Sequence, residues 1–487
     1  MATEPDIEII LGSWSTGRGP LHRKLSDALG RAIEHRALTP GARLPAEREL
    51  ARRLLVSRST VVSAYDELRA RGLLDSRRGS GTRVALTTHP SHRWNDDGND
   101  VANPVFRALL ADPSDVYSLA AACNRAHPLV ADAMGAVVAS RLPALLTHNG
   151  YLPSGLPELR AGLADVMSAS GVPTIAEQVL VTTGAQQAVN LCAALFAKPA
   201  DTIVVESPGF PGTLDALRST PVRFATVPVD DEGVDTERIV DLAGRTNPAA
   251  VYVMPTFQNP TGAILAARRR EQLARLAAMS GVPIIEDNAL EHLELADEPP
   301  PPIAALAPAD APVITVGSFS KLAWGGLRIG WARAPEPLID RLALVKARTD
   351  LGTPLFDQAV AACLLQHLPQ LRADRRHQLS TTLARVGALL HELVPEWRWR
   401  PPQGGPALWI ELPTGTAAGF AQMALRFGIE VVPGDQMSPT GEHPRHFRLP
   451  FTAEGAELDI VVRRLTEAWA AYIAAPNATR TRTTVVV

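Results

Sequence analysis

The sequence predicts a multidomain chain. A small, mainly α winged helix-turn-helix comes first, then a large α/β body on a mainly parallel sheet, then a small C-terminal α+β domain. Three observations carry this expectation. At 487 residues the chain is too long for one ordinary domain. Three short helical periods and a Gly/Arg-tipped hairpin pattern fill residues 1–85. From residue 116 onward, apolar strand-like runs alternate with helical patterns, as they do in parallel sheets wrapped by helices. The expected divisions are 1–85, a linker at 86–115, the large domain at 116–345, the small domain at 346–475 and a disordered tail at 476–487.

Composition narrows the class. Hydrophobic content of 46% and charged content of 20% are those of an ordinary soluble globular protein. No apolar run reaches membrane-spanning length. Cys123, Cys192 and Cys363 lie far apart, with neither a disulfide framework nor metal-ligand spacing. The acidic start, Met1-Ala-Thr-Glu-Pro-Asp6, has no signal pattern, so a reducing cytoplasm is the expected location. The net charge of −3 hides an asymmetry: residues 1–90 hold 15 Lys and Arg against 10 Asp and Glu, and the rest 33 against 41. A basic module on an acidic body suggests a nucleic-acid partner.

In the N-terminal module, Pro20 opens a helix carrying Leu21, Leu25, Ala28, Leu29, Ala32 and Ile33 at helical spacing. A second helix is expected from Pro45, and Ser57 is a plausible N-cap for a third over 58–71, ended by Gly72. Leu73-Leu74 and Thr82-Arg-Val84 flank a turn at Arg77-Arg-Gly-Ser-Gly81. In such a fold the third helix meets the DNA major groove with its first turn, here Arg58, Ser59 and Thr60. Arg48, Arg77 and Arg78 are placed to grip phosphates. The segment from Leu86 to Asp100 is polar and without apolar period, a connector. Phe106, Leu109 and Leu110 are expected to start the docking of the body.

In the body, strands are expected at 178–182, 202–206, 250–254, 282–286 and 313–317. Ligands of parallel sheets bind at the strands' C-terminal ends, and polar signals fall there. Thr182-Thr-Gly-Ala-Gln-Gln187 opens a helix, a seat for an anion. Phe210, in Ser207-Pro-Gly-Phe-Pro-Gly212, either stacks on an aromatic ring or fills the core. Asn259, in Gln258-Asn-Pro-Thr-Gly262, either donates to a ligand oxygen or forms an Asn-Pro turn. Asp287 ends a buried strand, costly unless paired. Gly317-Ser-Phe-Ser-Lys321 sets a lone amine beside hydroxyls, with Arg328 nearby, as a phosphorylated aldehyde would require for a Schiff base and a phosphate grip. In the last part, a helix through Leu379, Leu383, Val386 and Leu390 precedes strands at 404–412, 429–432 and 446–449, with a helix at 417–427.

Two resemblances follow. Leu44-Pro-Ala-Glu-Arg-Glu-Leu-Ala51, Val56-Ser-Arg-Ser-Thr-Val61 and Gly79-Ser-Gly-Thr82 resemble the DNA-binding domain of GntR-type transcriptional regulators. That likeness implies DNA contacts by Arg48, Arg58, Ser59, Thr60 and the wing from Gly79 to Gly81. Ala46 departs from it, since the family often has a capping serine there. Residues 116–475 resemble fold-type-I aminotransferases, with Gly155-Leu-Pro-Glu-Leu-Arg160 similar to the helix that opens that fold. This implies pyridoxal 5′-phosphate as cofactor: Lys321 as the amine that takes it, Asp287 on the pyridine nitrogen, Asn259 on the ring oxygen and Phe210 on the ring face. Gly184, Ala185, Gln186, Ser318, Ser320 and Arg328 would hold the phosphate, and Arg448 the carboxylate of an amino acid. The alternative for Arg448 is a solvated arginine at a strand end. The family commonly carries a tyrosine two residues after the aspartate, and here that position is Ala289.

Together the two halves are similar in layout to MocR-type regulators. That implies a homodimeric, cofactor-dependent regulator of a double-stranded DNA operator, responsive to the cofactor or to an amino acid or amine. A working aminotransferase with an accessory DNA-binding module is the other reading, and the stretch around Ala289 weighs against it.

Overall fold

The computed structural model describes residues 7–12, 14–15, 19–34, 37–39, 41–77, 81–85, 116–295 and 298–475. The expected linker at 86–115, with Phe106, Leu109 and Leu110, and the tail at 476–487 lie outside them.

The N-terminal domain has helices Ile7–Leu11, Leu21–Glu34, Glu47–Arg53 and Arg58–Ala70 and an antiparallel hairpin, Leu74–Arg77 with Gly81–Val84. The helical spacing is repaid in burial: Leu25, Leu29, Leu50, Leu54, Val61, Ala64 and Leu68 meet in one core. Ser57 caps the third helix of the motif, accepting from the Thr60 amide at 3.1 Å. The second helix begins at Glu47, two residues after the proline expected to open it. Pro45 instead lies before the cap, where its carbonyl accepts from the buried Tyr65 hydroxyl at 2.9 Å. Ala46 takes the N-cap position and offers no side-chain bond.

The body centres on an eight-stranded sheet. Its order is Val179–Thr182, Gly330–Arg333, Val313–Ser318, Ile284–Asp287, Ala250–Val253, Thr202–Ser207, Arg223–Asp230 and Gly233–Val234. The five expected strands are present and parallel where they neighbour each other. Both faces are covered, so the central strands are buried and carry apolar runs on both faces. Leu180, Ile203, Val205, Ile285, Ile314 and Val316 enter one core, and Val181, Val204, Val251, Ile284 and Val313 the other. Three strands were not expected: the two-residue edge strand Gly233–Val234 and two longer ones. Gly330–Arg333 is short and begins on glycine, and it runs antiparallel between Val179–Thr182 and Val313–Ser318. Arg223–Asp230 carries Pro228, which lowers strand propensity and is tolerated near the sheet edge.

The C-terminal domain has an antiparallel sheet, Ala407–Glu411, His446–Pro450 and Val432–Pro433, flanked by the helices Leu368–Leu393, Ala417–Arg426 and Gly455–Ala474. Trp397 fills its centre, edge-on to Phe420, Phe447 and Trp469 at 5.2–5.9 Å. The strand expected at 429–432 is divided. Ile429–Glu430 pairs in parallel with Tyr117–Ser118, whereas Val432–Pro433 joins His446–Pro450. The N-terminal domain rests on this domain: Arg426 donates to the carbonyls of Leu54 (2.8 Å) and Leu55 (2.9 Å).

Candidate functional site

The C-terminal ends of the parallel strands converge on one region, and the residues singled out in the sequence sit there. At the edge, Gly184 (φ +117°) caps the helix Ala185–Phe196, leaving its first amides unpaired by the helix. The turn is tightly built. Thr182 Oγ1 donates to the Gly184 carbonyl at 3.0 Å, and the Thr183 amide donates to Gln187 Oε1 at 2.9 Å. Gly330 touches this turn from the neighbouring strand, where an added Cβ would lie 2.6 Å from Gly184 Cα. Arg328, in left-handed backbone (φ +53°), donates to the Thr183 carbonyl. Ser318 Oγ donates to Ser320 Oγ at 3.0 Å and accepts from the Ser320 amide at 3.1 Å. Gln186 Nε2 donates to the Gly212 carbonyl at 2.5 Å, and Phe210 stands half-buried at the start of the helix Pro211–Leu217.

Deeper in, Asp287 is buried. It accepts from the Tyr252 hydroxyl at 2.7 Å and from the Ala289 amide at 3.0 Å. Tyr252 is also bonded to Thr213 Oγ1 at 3.1 Å. Burial pushes the Asp287 carboxyl up, and these donors only partly oppose it. Beneath lies a second buried acid, Glu206, pushed up to about 8 by burial. It accepts from Gln258 Nε2 at 3.2 Å.

Lys321 donates to the Ala122 carbonyl at 2.7 Å, with Cys123 Sγ at 3.7 Å. Burial holds its amine below the ordinary lysine value, favouring the neutral, nucleophilic form. Arg448 is no solvated strand-end arginine: it is 1% exposed. It donates to Asn259 Oδ1 at 3.3 Å and to the Ala120 carbonyl, and its Nε has no partner. Burial draws it down to about 10. Asn259 and Arg448 are thus brought together from two domains.

Sequence reading missed Tyr252, Thr213 and Asn124, whose side-chain amide donates to the Lys321 carbonyl at 2.9 Å. Strand parity carried a signal for Tyr252. It pairs in register with Ile285, so Asp287, two residues on, shares its face.

In the N-terminal domain, Arg58 leads the capped helix with its side chain 56% exposed, 3.2 Å from Glu47. Ser59 and Thr60 hydroxyls gather on Ser57 Oγ at 2.7 and 2.8 Å, and Arg48 is exposed. Gly81 (φ +82°) opens the second wing strand beside Arg43. Arg43 and Arg83, paired there by an antiparallel β-bridge, add two basic side chains that the sequence reading did not single out. The side chain of Arg77, and all of Arg78 and Gly79, lie outside the described residues. No helix among the described residues is long and apolar enough to cross a membrane.

Comparison with known proteins agrees with both halves. The family of aminotransferase class I and II matches residues 135–465, and the gntR family of bacterial regulatory proteins matches residues 21–84. An uncharacterized HTH-type transcriptional regulator of Bacillus subtilis, YisV, is 30% identical over 421 residues, covering 82% of this chain and 86% of its own. The probable rhizopine catabolism regulatory protein MocR of Rhizobium meliloti is 30% identical over 362 residues, 70% of this chain and 71% of its own. Among solved structures, the α-aminoadipate aminotransferase LysN of Thermus thermophilus superposes with a TM-score of 0.69 at 28% identity, covering 77% of this chain and 96% of its own. The chain therefore belongs to the aminotransferase class I and II family and carries a gntR-family DNA-binding domain at its N-terminus, the architecture of the MocR-type transcriptional regulators.

Proposed function

We propose that this regulator binds pyridoxal 5′-phosphate at Lys321 and reads out the cofactor, or an amino acid or amine that meets it, as a change in operator binding. The observation that carries this is the meeting of Lys321, Asp287, Asn259 and Arg448 at one end of the sheet of a chain that begins with a DNA-binding domain. The residues fit the group. Asp287 is a buried carboxylate held by two neutral donors, the Tyr252 hydroxyl and the Ala289 amide, and a protonated ring nitrogen would offset its burial. Gly184, Ala185, Gln186, Ser318, Ser320 and Arg328 surround a helix N-terminus free to take a phosphate. Arg448 has an unpartnered buried Nε, and a carboxylate would satisfy it.

When bound, the cofactor supplies an aldehyde that condenses with primary amines. The chain's own part is orientation. Lys321 offers a partly desolvated amine, Asp287 fixes the ring nitrogen's proton, and Asn259 donates to the ring oxygen. Phe210 stands at the ring face, and Arg448 selects ligands bearing a carboxylate. The expected assembly is a homodimer, whose two DNA-binding domains meet two operator half-sites through Arg48, Arg58, Ser59, Thr60 and the wing. A ligand that favours one arrangement of the body then shifts operator affinity.

The test is absorbance. Protein incubated with pyridoxal phosphate should gain a near-visible band that Lys321→Ala removes; no band in the wild type overturns the reading. Lys321, Asp287, Asn259 and Arg448 also favour a second reading, a working aminotransferase. Sustained turnover of an amino acid with a keto acid at ordinary enzymatic rates would establish it.

A further inference from the structure

A short run of backbone joins the carboxylate-binding arginine to the DNA-binding domain. The Ala120 carbonyl accepts from buried Arg448. Immediately before it, Tyr117–Ser118 pairs with Ile429–Glu430. The Tyr117 amide donates to the Gly428 carbonyl and the Leu119 amide to the Glu430 carbonyl, each at 2.8 Å. Ser118 Oγ adds a bond to Glu430 Oε2 at 2.5 Å. Gly428 and Ile429 follow, after the C-cap Phe427, the helix Ala417–Arg426, whose last residue grips Leu54 and Leu55 at 2.8 and 2.9 Å.

That grip is well placed. Leu54 closes the helix Glu47–Arg53, so its carbonyl is a helix-end group needing a donor. Leu55 holds a left-handed backbone (φ +52°) between this helix and the capped one, and its side chain packs against the body's core. On the same face Gln422 Nε2 reaches the Gly12 carbonyl at 3.4 Å. Arg426 stays exposed along part of its side chain, and the partial burial of its guanidinium lowers it from its ordinary value. Meanwhile the first turn of the reading helix remains exposed. The domain is therefore seated by the back of its motif, with its DNA-facing turn presented outward.

We infer that the face of the helix Ala417–Arg426 is the seat of the DNA-binding domain, and that the paired segments 117–120 and 428–430 make this seat responsive to what Arg448 holds. The inference rests on reading Arg448 as the carboxylate site. A carboxylate on Arg448 takes the place of the Ala120 carbonyl and frees the end of the strand Tyr117–Ser118. That strand borders the residues that follow Arg426, so its release loosens the grip on Leu54 and Leu55. The ligand class is an amine-bearing carboxylate; the docked partner is the Leu54–Leu55 turn of this same sequence.

The experiment is hydrogen exchange on the full-length protein, wild type and the variants Arg426→Ala, Arg448→Ala and the double substitution. Arg426→Ala should speed exchange at residues 54–57 by roughly two- to thirtyfold, the size of such couplings. Arg448→Ala should do so too, although it lies in another sheet, and the double variant should add nothing to Arg426→Ala alone. Unchanged exchange at 54–57 in a natively folded Arg448→Ala protein, or additive effects, would overturn the coupling. If Arg448→Ala does not fold, Arg448→Lys, which keeps the buried charge and loses the fork, takes its place. A second arm uses a duplex that the protein selects from a random pool, with pyridoxal phosphate and each of the twenty common amino acids. The amino acid that shifts wild-type affinity should leave Arg426→Ala affinity unchanged while still altering its absorbance; a retained shift counts against the coupling. Absence of any cofactor band would sink the cofactor reading, and the exchange arm would still decide the coupling.

Discussion

Tyr252 donates its phenolic proton to Asp287 at 2.7 Å, from the neighbouring parallel strand. The bond favours the charged form of this carboxylate against the upward push of burial, and the charged form is the one that a protonated pyridine nitrogen would need. Tyr252→Phe removes a hydrogen bond to a charged group, a loss of about 1.5–3 kcal/mol. Cofactor retention should fall by roughly tenfold to hundredfold, read by absorbance titration. Unchanged retention would mean that Asp287 does not depend on this donor.

Glu206 gives stability a pH dependence. The folded protein keeps its proton up to about 8, whereas the unfolded chain releases it near the ordinary 4.5. The folded state therefore binds more protons between these values, and the stability from this group, full below 4.5, is lost as pH rises toward 8. Glu291, also pushed up to about 8, has the same sign. Melting temperature should decline across this window, and Glu206→Gln should make the decline shallower. An equal slope in the variant would contradict the assignment.

Lys346 is fully buried and bonded to Asp350 at 2.7 and 2.9 Å; Asp350 also accepts from Gln187, whose oxygen holds the Thr183 amide of the anion seat. Asp350→Ala leaves a buried cation uncompensated. It should cost about 3 kcal/mol in urea unfolding, the low end for such pairs because Asp350 is partly exposed. It should also weaken cofactor retention through the displaced Gln187. Replacing Lys346 with methionine in the same chain should recover stability without recovering retention.

In the DNA-binding domain, Ala46→Ser should supply the missing N-cap and stabilise the protein by about 1 kcal/mol. Arg58→Ala should weaken binding to the selected duplex and leave the cofactor band unchanged. Loss of both would indicate a folding defect instead.

The strands that bear the site were legible because each is a buried apolar run ending in polar residues. Ile284-Ile285 before Asp287 and Val313 to Val316 before Ser318 show the pattern. The capped helix at Ser57 was legible for a local reason, since the cap lies three residues from the amide it serves. What escaped depends on distance along the chain. The strand Gly330–Arg333 gains its place from partners on both sides and has little propensity of its own. The contact between Arg448 and Ala120 spans 328 residues, and no spacing rule reaches that far. Tyr252 was hidden because a tyrosine inside an apolar strand looks like core until the register beside it is known.

The Ala120 carbonyl on Arg448 has a quantitative consequence. It is a competitor on a short tether, present at an effective concentration that no dilution of the cell changes; for short flexible links this is on the order of millimolar. A free carboxylate must outbid it with a second point of attachment, which an amino group near Lys321 would provide. Simple carboxylic acids lack that second point and should be rejected even when abundant. The response would then have a dose threshold set by the fold itself.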